Sequence, residues 1–175
     1  MTETNSTPES FQPNLEAIKQ IESSGNPKAF NKASGARGLY QITPVVLKEW
    51  NQHNPDEKYG LDHLFNPDIN TKIAAWYFDR LANHYAPHYG IDPTPENILG
   101  MYNWGMGNMK KFAAGEIKSM PLETTNYIQK YKALSEAPVA ATAPLADTLI
   151  PEIQKEVPPT RRGSGRTIGF GKEMI

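Results

Sequence analysis

The chain has 175 residues, a formal net charge of -1 and no cysteine. That length allows one sizeable core plus a tail. The near-neutral balance argues against a general nucleic-acid binder, and disulfides are excluded. Apolar and charged contents of 38% and 21% are ordinary for a water-soluble domain, and no run of about 18 apolar residues marks a membrane span.

Residues 1–10 are polar, carry Pro8, and lack both the basic and the apolar region of a secretory signal, so a flexible N-terminus is expected there. Asn14 is placed to cap a first helix that Gly25 and Pro27 close. Leu15, Ile18 and Glu22 fall at i, i+3 and i+7, which puts a carboxylate on the apolar face at the helix C-terminal end. A charge there must be paired, neutralised or used. Burial and the negative end of the helix dipole both raise a carboxyl pKa, as a general acid near neutral pH requires. The plainer alternative is a solvated Glu in a frayed last turn.

Residues 26–42 read as a loop with a short strand or hairpin around 39–42. Gly35, Ala36 and Gly38 permit sharp turns and close approach to a ligand, and Gln41 offers an amide to a polar substrate. Thr43-Pro44 supplies the N-cap and first position of a second helix. In the polar connection after it, His53 and His63 read as surface residues. A third helix starts at Asn66-Pro67-Asp68, and its stripe of Ile69, Ile73, Trp76, Tyr77 and Leu81 reads as core rather than as a sugar platform. His84 and His88 are four apart, but Pro87 lies between them and no acidic third ligand follows at helical spacing, so no metal is expected. Thr94-Pro95-Glu96 begins a fourth helix that carries Tyr102, a short fifth spans 108–114, and Pro121 opens a sixth. From 136 the chain becomes Pro-rich and ends with Arg161, Arg162, Arg166 and Lys172. It reads as a disordered tail, or as a docking peptide that orders on a partner.

Four motifs occur in order: Glu22-Ser23 with Asn26-Pro27, then Gly35-Ala36-Arg37-Gly38-Leu39-Tyr40-Gln41-Ile42, then Tyr102-Asn103-Trp104-Gly105-Met106-Gly107, then Glu123-Thr124-Thr125-Asn126-Tyr127. Together they resemble the soluble lytic transglycosylases, relatives of goose-type lysozyme that cut peptidoglycan glycan strands. The resemblance implies a mainly α, lysozyme-like (α+β) domain over about residues 11–135. A short β/loop region follows its first helix, and an extended tail covers 136–175. It implies that Glu22 is the catalytic residue and that Ser34, Tyr40 and Gln41 lie along the glycan cleft. Tyr102 and Asn103 would stand near the reacting sugar, with Glu123 and Tyr127 behind as support and Tyr127 also counted in the substrate-binding set. No cofactor and no metal are implied. Tyr102 as a core tyrosine and Glu123 as a favourable first-turn helix charge remain open as plainer readings.

Many family members have Met where this chain has Tyr40 and Thr43, Ala-Gly-Pro where it has Trp104-Gly105-Met106, and a serine near the place of Asn31 rather than Ser34. The implied reaction cleaves the β-1,4 bond between N-acetylmuramic acid (MurNAc) and N-acetylglucosamine (GlcNAc) and leaves a 1,6-anhydro-muramyl product. Two alternatives stand beside it: a hydrolytic lysozyme on the same scaffold, and an assembly component with a vestigial site. The expected partner is the peptidoglycan of the periplasmic cell wall. The lack of a signal-like N-terminus suggests delivery by a bacteriophage virion or a secretion complex, bound through residues 136–175.

Overall fold

The computed structural model describes residues 11–136. The expectations for residues 1–10 and for the tail beyond 136 therefore lie outside the described residues. Within them the chain is helical: α1 (Leu15–Ser23), α2 (Pro44–His53), a 3-10 turn (Leu61–Phe65), α3 (Pro67–Arg80), a π turn (Leu81–Tyr85), the short α4 (Ala86–His88), α5 (Pro95–Trp104), α6 (Met106–Ala113) and α7 (Leu122–Glu136). This is the mainly α class that the sequence implies.

Helices α1, α2, α3 and α5 start where a short polar side chain satisfies their first N–H groups. Asn14 Oδ1 accepts from the Ala17 N–H at 3.1 Å, Asn66 Oδ1 from Asp68 and Ile69, and the hydroxyls of Thr43 and Thr94 from Val46 and Asn97. Pro follows Thr43, Asn66 and Thr94 directly, where its missing N–H costs no bond. The π turn precedes Pro87. A proline ring clashes with the carbonyl four residues back in a regular helix, and the chain widens here so that the Ala86 N–H reaches the Leu81 carbonyl, five back. No sequence signal singles out this turn, and the 3-10 turn at 61–65 was likewise read only as part of a polar connection.

α5 is the central rod. Ile98, Leu99, Gly100 and Met101 are all buried in succession, so it is covered on every side by α6, α7 and the π turn. Gly100 lets α6 come close: a Cβ there would stand 2.7 Å from the Met109 sulfur. Phe78, Ile73, Leu81 and Ile18 complete a core from which water is excluded, each such side chain contributing about 1.5–3 kcal/mol. α1 lies against α7, and the Asn14 N–H donates to the Tyr131 hydroxyl at 2.8 Å.

The expected strand or hairpin near residues 39–42 is reduced to single bridge pairs, Phe30 with Arg37 and Arg37 with Ile42. The latter pair exchanges two 3.0 Å hydrogen bonds around a four-residue turn. Gly38 (φ +78°) and Gln41 (φ +49°) are both left-handed, which coils residues 38–41 and stops any ladder from growing.

Candidate active site

Glu22 sits in the last turn of α1, which ends at Ser24 in the left-handed conformation. The next residue anchors this helix end, since the Ser23 hydroxyl lies 2.8 Å from the Leu39 carbonyl and donates to it across to the glycine loop. The Glu22 carboxyl is half-buried. Loss of solvent pushes its pKa from 4.5 up to about 7, and a hydrogen bond from the Tyr127 hydroxyl to Oε1 at 2.8 Å holds the rise back. Burial and the nearby Glu22 charge raise the Tyr127 phenol far above its ordinary range, so it remains a neutral donor.

The glycine loop is clamped from two sides. Asn70, fully buried on α3, accepts from the Tyr40 N–H at 2.9 Å and donates to the carbonyls of Leu64 and Arg37 at 2.8 and 3.0 Å. Gly38 passes so close to this amide that a Cβ would come within 2.4 Å of its nitrogen and 2.2 Å of the Leu64 carbonyl oxygen. From α5 the Tyr102 hydroxyl donates to the Tyr40 carbonyl at 2.5 Å, while its ring stacks on Phe78 at 4.4 Å. Tyr102 therefore combines the two readings left open for it: it has a core tyrosine's single partner, and it also lines the cleft.

That cleft has a volume of about 440 Å³ and is walled by Glu22, Ser34, Gln41, Tyr102, Asn103 and Glu123 together. Gln41 faces it with its amide nitrogen already committed to the carbonyls of Gly38 (3.0 Å) and Ala29 (3.4 Å). Its amide oxygen accepts no hydrogen bond from another described residue and is left to a ligand. Asn31 and Ser34 both reach the cleft, so the loop brings the two candidate positions to one wall. A second cavity of about 310 Å³ shares Glu22, Asn103 and Glu123 with the first and adds Ile21, Asn126, Tyr127 and Lys130.

Two expected placements, those of Tyr40 and Glu123, differ in the structure. Tyr40 does not line the cleft: its side chain is 4% exposed and packs in the core, while Gln41, left-handed at φ +49°, lines the cleft. Tyr127 stands behind the acid, donating to Glu22 Oε1, and borders the second cavity rather than the main cleft. Glu123 does not stand behind Glu22; it is solvent-facing and lines both cavities.

Sequence reasoning missed two residues. Tyr77 was absorbed into the apolar stripe of α3, yet it lines the cleft, and its hydroxyl makes no hydrogen bond to another described residue. A phenol whose hydroxyl needs a partner, set in an apolar stripe, is the signal that would have flagged it. Asn70 was missed although it lies three residues before Ile73 and seven before Tyr77, on the buried face where an amide must be satisfied. His84 and His88 stack face to face on the surface at 6.4 Å, and among the described residues no group of three or more His, Asp or Glu side chains is gathered as metal ligands would be.

The arrangement can donate and withdraw one proton at Glu22 beside a cleft lined by polar side chains. Among the described residues no helix is long and apolar enough to cross a membrane. No curated protein matches the chain. The family model described as the transglycosylase SLT domain matches residues 2–119, more than half of the chain. The chain belongs to the transglycosylase SLT domain family, whose activity is glycosidic-bond cleavage of the lytic transglycosylase type on peptidoglycan of the cell wall.

Proposed function

We propose that Glu22 is the single acid and base of a lytic transglycosylase. Protonated, it donates to the glycosidic oxygen between MurNAc and GlcNAc, and the leaving GlcNAc departs as C1 of the muramyl sugar gains positive character. As a carboxylate it then takes the proton of the muramyl C6 hydroxyl, whose oxygen bonds to C1 and closes the 1,6-anhydro ring. Intramolecular attack has a high effective molarity, which offsets the lack of a second catalytic carboxylate. The observation that carries this reading is the half-buried Glu22 carboxyl, raised to about 7 with a neutral phenol as its one hydrogen-bond partner among the described residues, in one cleft with Gln41, Tyr102 and Asn103. A pKa near the working pH suits a group that must both give and accept a proton. Ser34, Asn31 and the free Gln41 oxygen then hold the glycan, and Tyr77 adds a phenol to the same wall.

One observation favours a second reading, hydrolysis: Glu123 borders both cavities beside Glu22 and has no ion-pair partner among the described residues. Mass spectrometry of digested peptidoglycan separates the two. Anhydro-muropeptides that vanish with Glu22→Gln support the transglycosylase, and reducing ends in their place support hydrolysis. Cleavage that persists in Glu22→Gln, or no cleavage by the wild type, overturns both.

A further inference from the structure

One face of α2 forms a wall of a groove of about 510 Å³ that shares no lining residue with the two cavities at Glu22. Pro44, Leu47, Lys48 and Asn51 stand at i, i+3, i+4 and i+7 on that face, while Val45 and Val46 of the same helix turn to the cleft. Lys58, Tyr59 and Leu61 make the second wall. The two walls are fastened to each other. The Tyr59 N–H donates to Asn51 Oδ1 and Asn51 Nδ2 donates to the Tyr59 carbonyl, each at 2.8 Å. The Tyr59 ring stacks on Trp50 at 6.2 Å, and the Trp50 indole N–H donates to the Glu57 carbonyl at 2.8 Å. A groove that needs no ordering keeps more of its contact energy as affinity. Leu47 and the exposed Leu61 give it aliphatic surface. Its charged side chains, Lys48 and Lys58, are both cations, one on each wall, whereas those of the catalytic cleft, Glu22 and Glu123, are both acids. Lone lysines occur elsewhere on the surface; what sets these two apart is their place on the two walls of a preformed apolar groove.

We propose that this groove docks an acidic segment of a partner protein. A branched aliphatic side chain of that segment lies against Leu47 and Leu61, and carboxylates on either side of it meet Lys48 and Lys58. Charge acts in both directions here. The segment is attracted to the groove and repelled by the acidic cleft, so it is directed to one site and leaves the other open to glycan. Because Val45 and Val46 face the cleft from the same helix, a partner held in the groove stands about one helix diameter, roughly 10–12 Å, from the catalytic wall without covering it. The groove therefore suits a protein that carries or anchors the enzyme while it works.

The test is an NMR titration of full-length, nitrogen-15-labelled protein with the blocked peptide acetyl-Gly-Asp-Leu-Glu-Gly-amide. Three other peptides are compared with it: one with both acids replaced by lysine, one with leucine replaced by alanine, and a peptidoglycan stem tetrapeptide. The first peptide should shift amide signals within residues 44–61 and bind about tenfold tighter than either the lysine or the alanine form. Lys48→Glu combined with Lys58→Glu reverses the charge preference, and Leu61→Ser removes the leucine preference. Lys118→Glu, at a lysine outside the groove, changes neither. All four side chains are exposed, so the variants fold. High salt shrinks the charge preference. No binding at millimolar peptide, shifts at the cleft instead, or equal binding of the acidic and lysine forms overturns the proposal. So does a stem tetrapeptide that binds the groove as tightly as the leucine peptide. Failure of the transglycosylase reading appears separately, in the products made by the wild type.

Discussion

Glu22→Gln tests catalysis and folding at once, because the same burial that tunes the acid weakens the fold. Solvated in the unfolded chain, this carboxyl titrates at its ordinary 4.5; in the folded protein it titrates at about 7. Below 4.5 both states hold the proton and the group contributes nothing adverse. Between 4.5 and 7 the unfolded chain releases its proton while the native state keeps it, so stability falls as pH rises. Above 7 the native carboxyl ionises and the full penalty is reached, roughly 3 kcal/mol at about 1.4 kcal/mol per tenfold change. Glutamine has nearly the same shape, can still accept from the Tyr127 hydroxyl, and never ionises. Urea unfolding followed by tryptophan fluorescence should therefore find the variant and wild type nearly equal at pH 4, with the variant ahead by roughly 2–3 kcal/mol at pH 8.5. Other titrating groups cancel in the difference. The reasoning is refuted by a difference that does not change with pH, or by one that favours wild type as pH rises.

Tyr127→Phe deletes the donor that holds the Glu22 pKa down. The alkaline limb of kcat/KM should move to higher pH, and an unchanged or acid-shifted limb would contradict the assignment. Gly38→Ala forces a side chain into a left-handed position and against the Leu64 carbonyl and the Asn70 amide. The cost is at least about 3 kcal/mol, read as a large loss in thermal melting. Asn70→Ala orphans the Tyr40 N–H and the Leu64 carbonyl, at about 1–3 kcal/mol per buried group, and denaturant titration should show a loss on the order of 3 kcal/mol. Because Asn70 also clamps the glycine loop, its variant should lose glycan affinity even under conditions where it remains fully folded.

The features legible in the amino-acid sequence are those decided within a few residues. Asn14, Thr43, Asn66 and Thr94 cap helices because each side chain reaches backbone only two or three positions on. The phase of Glu22 follows from Leu15 and Ile18 on its own helix, and the left-handed Gly38 from a glycine in a tight turn. Other features depend on distant partners and stayed hidden. Tyr40 is buried where Asn70 and Tyr102 take its N–H and carbonyl. The π turn reconciles a helix packed on α5 with a proline it cannot otherwise pass.

The acidity of Glu22 belongs to this second kind. Its helix supplies the position, but the desolvation comes from what packs around it, with α5 bringing Tyr102 and α7 bringing Tyr127. α1 and α7 touch along their lengths and are further tied by the Asn14 N–H to the Tyr131 hydroxyl, well away from the cleft. A change that loosens that contact, such as Tyr131→Phe, should admit water to the carboxyl and lower its pKa toward 4.5. It would thereby depress activity near pH 7 without touching substrate. Site and core are one structure here, since the packing that closes the domain also sets the proton affinity of its acid.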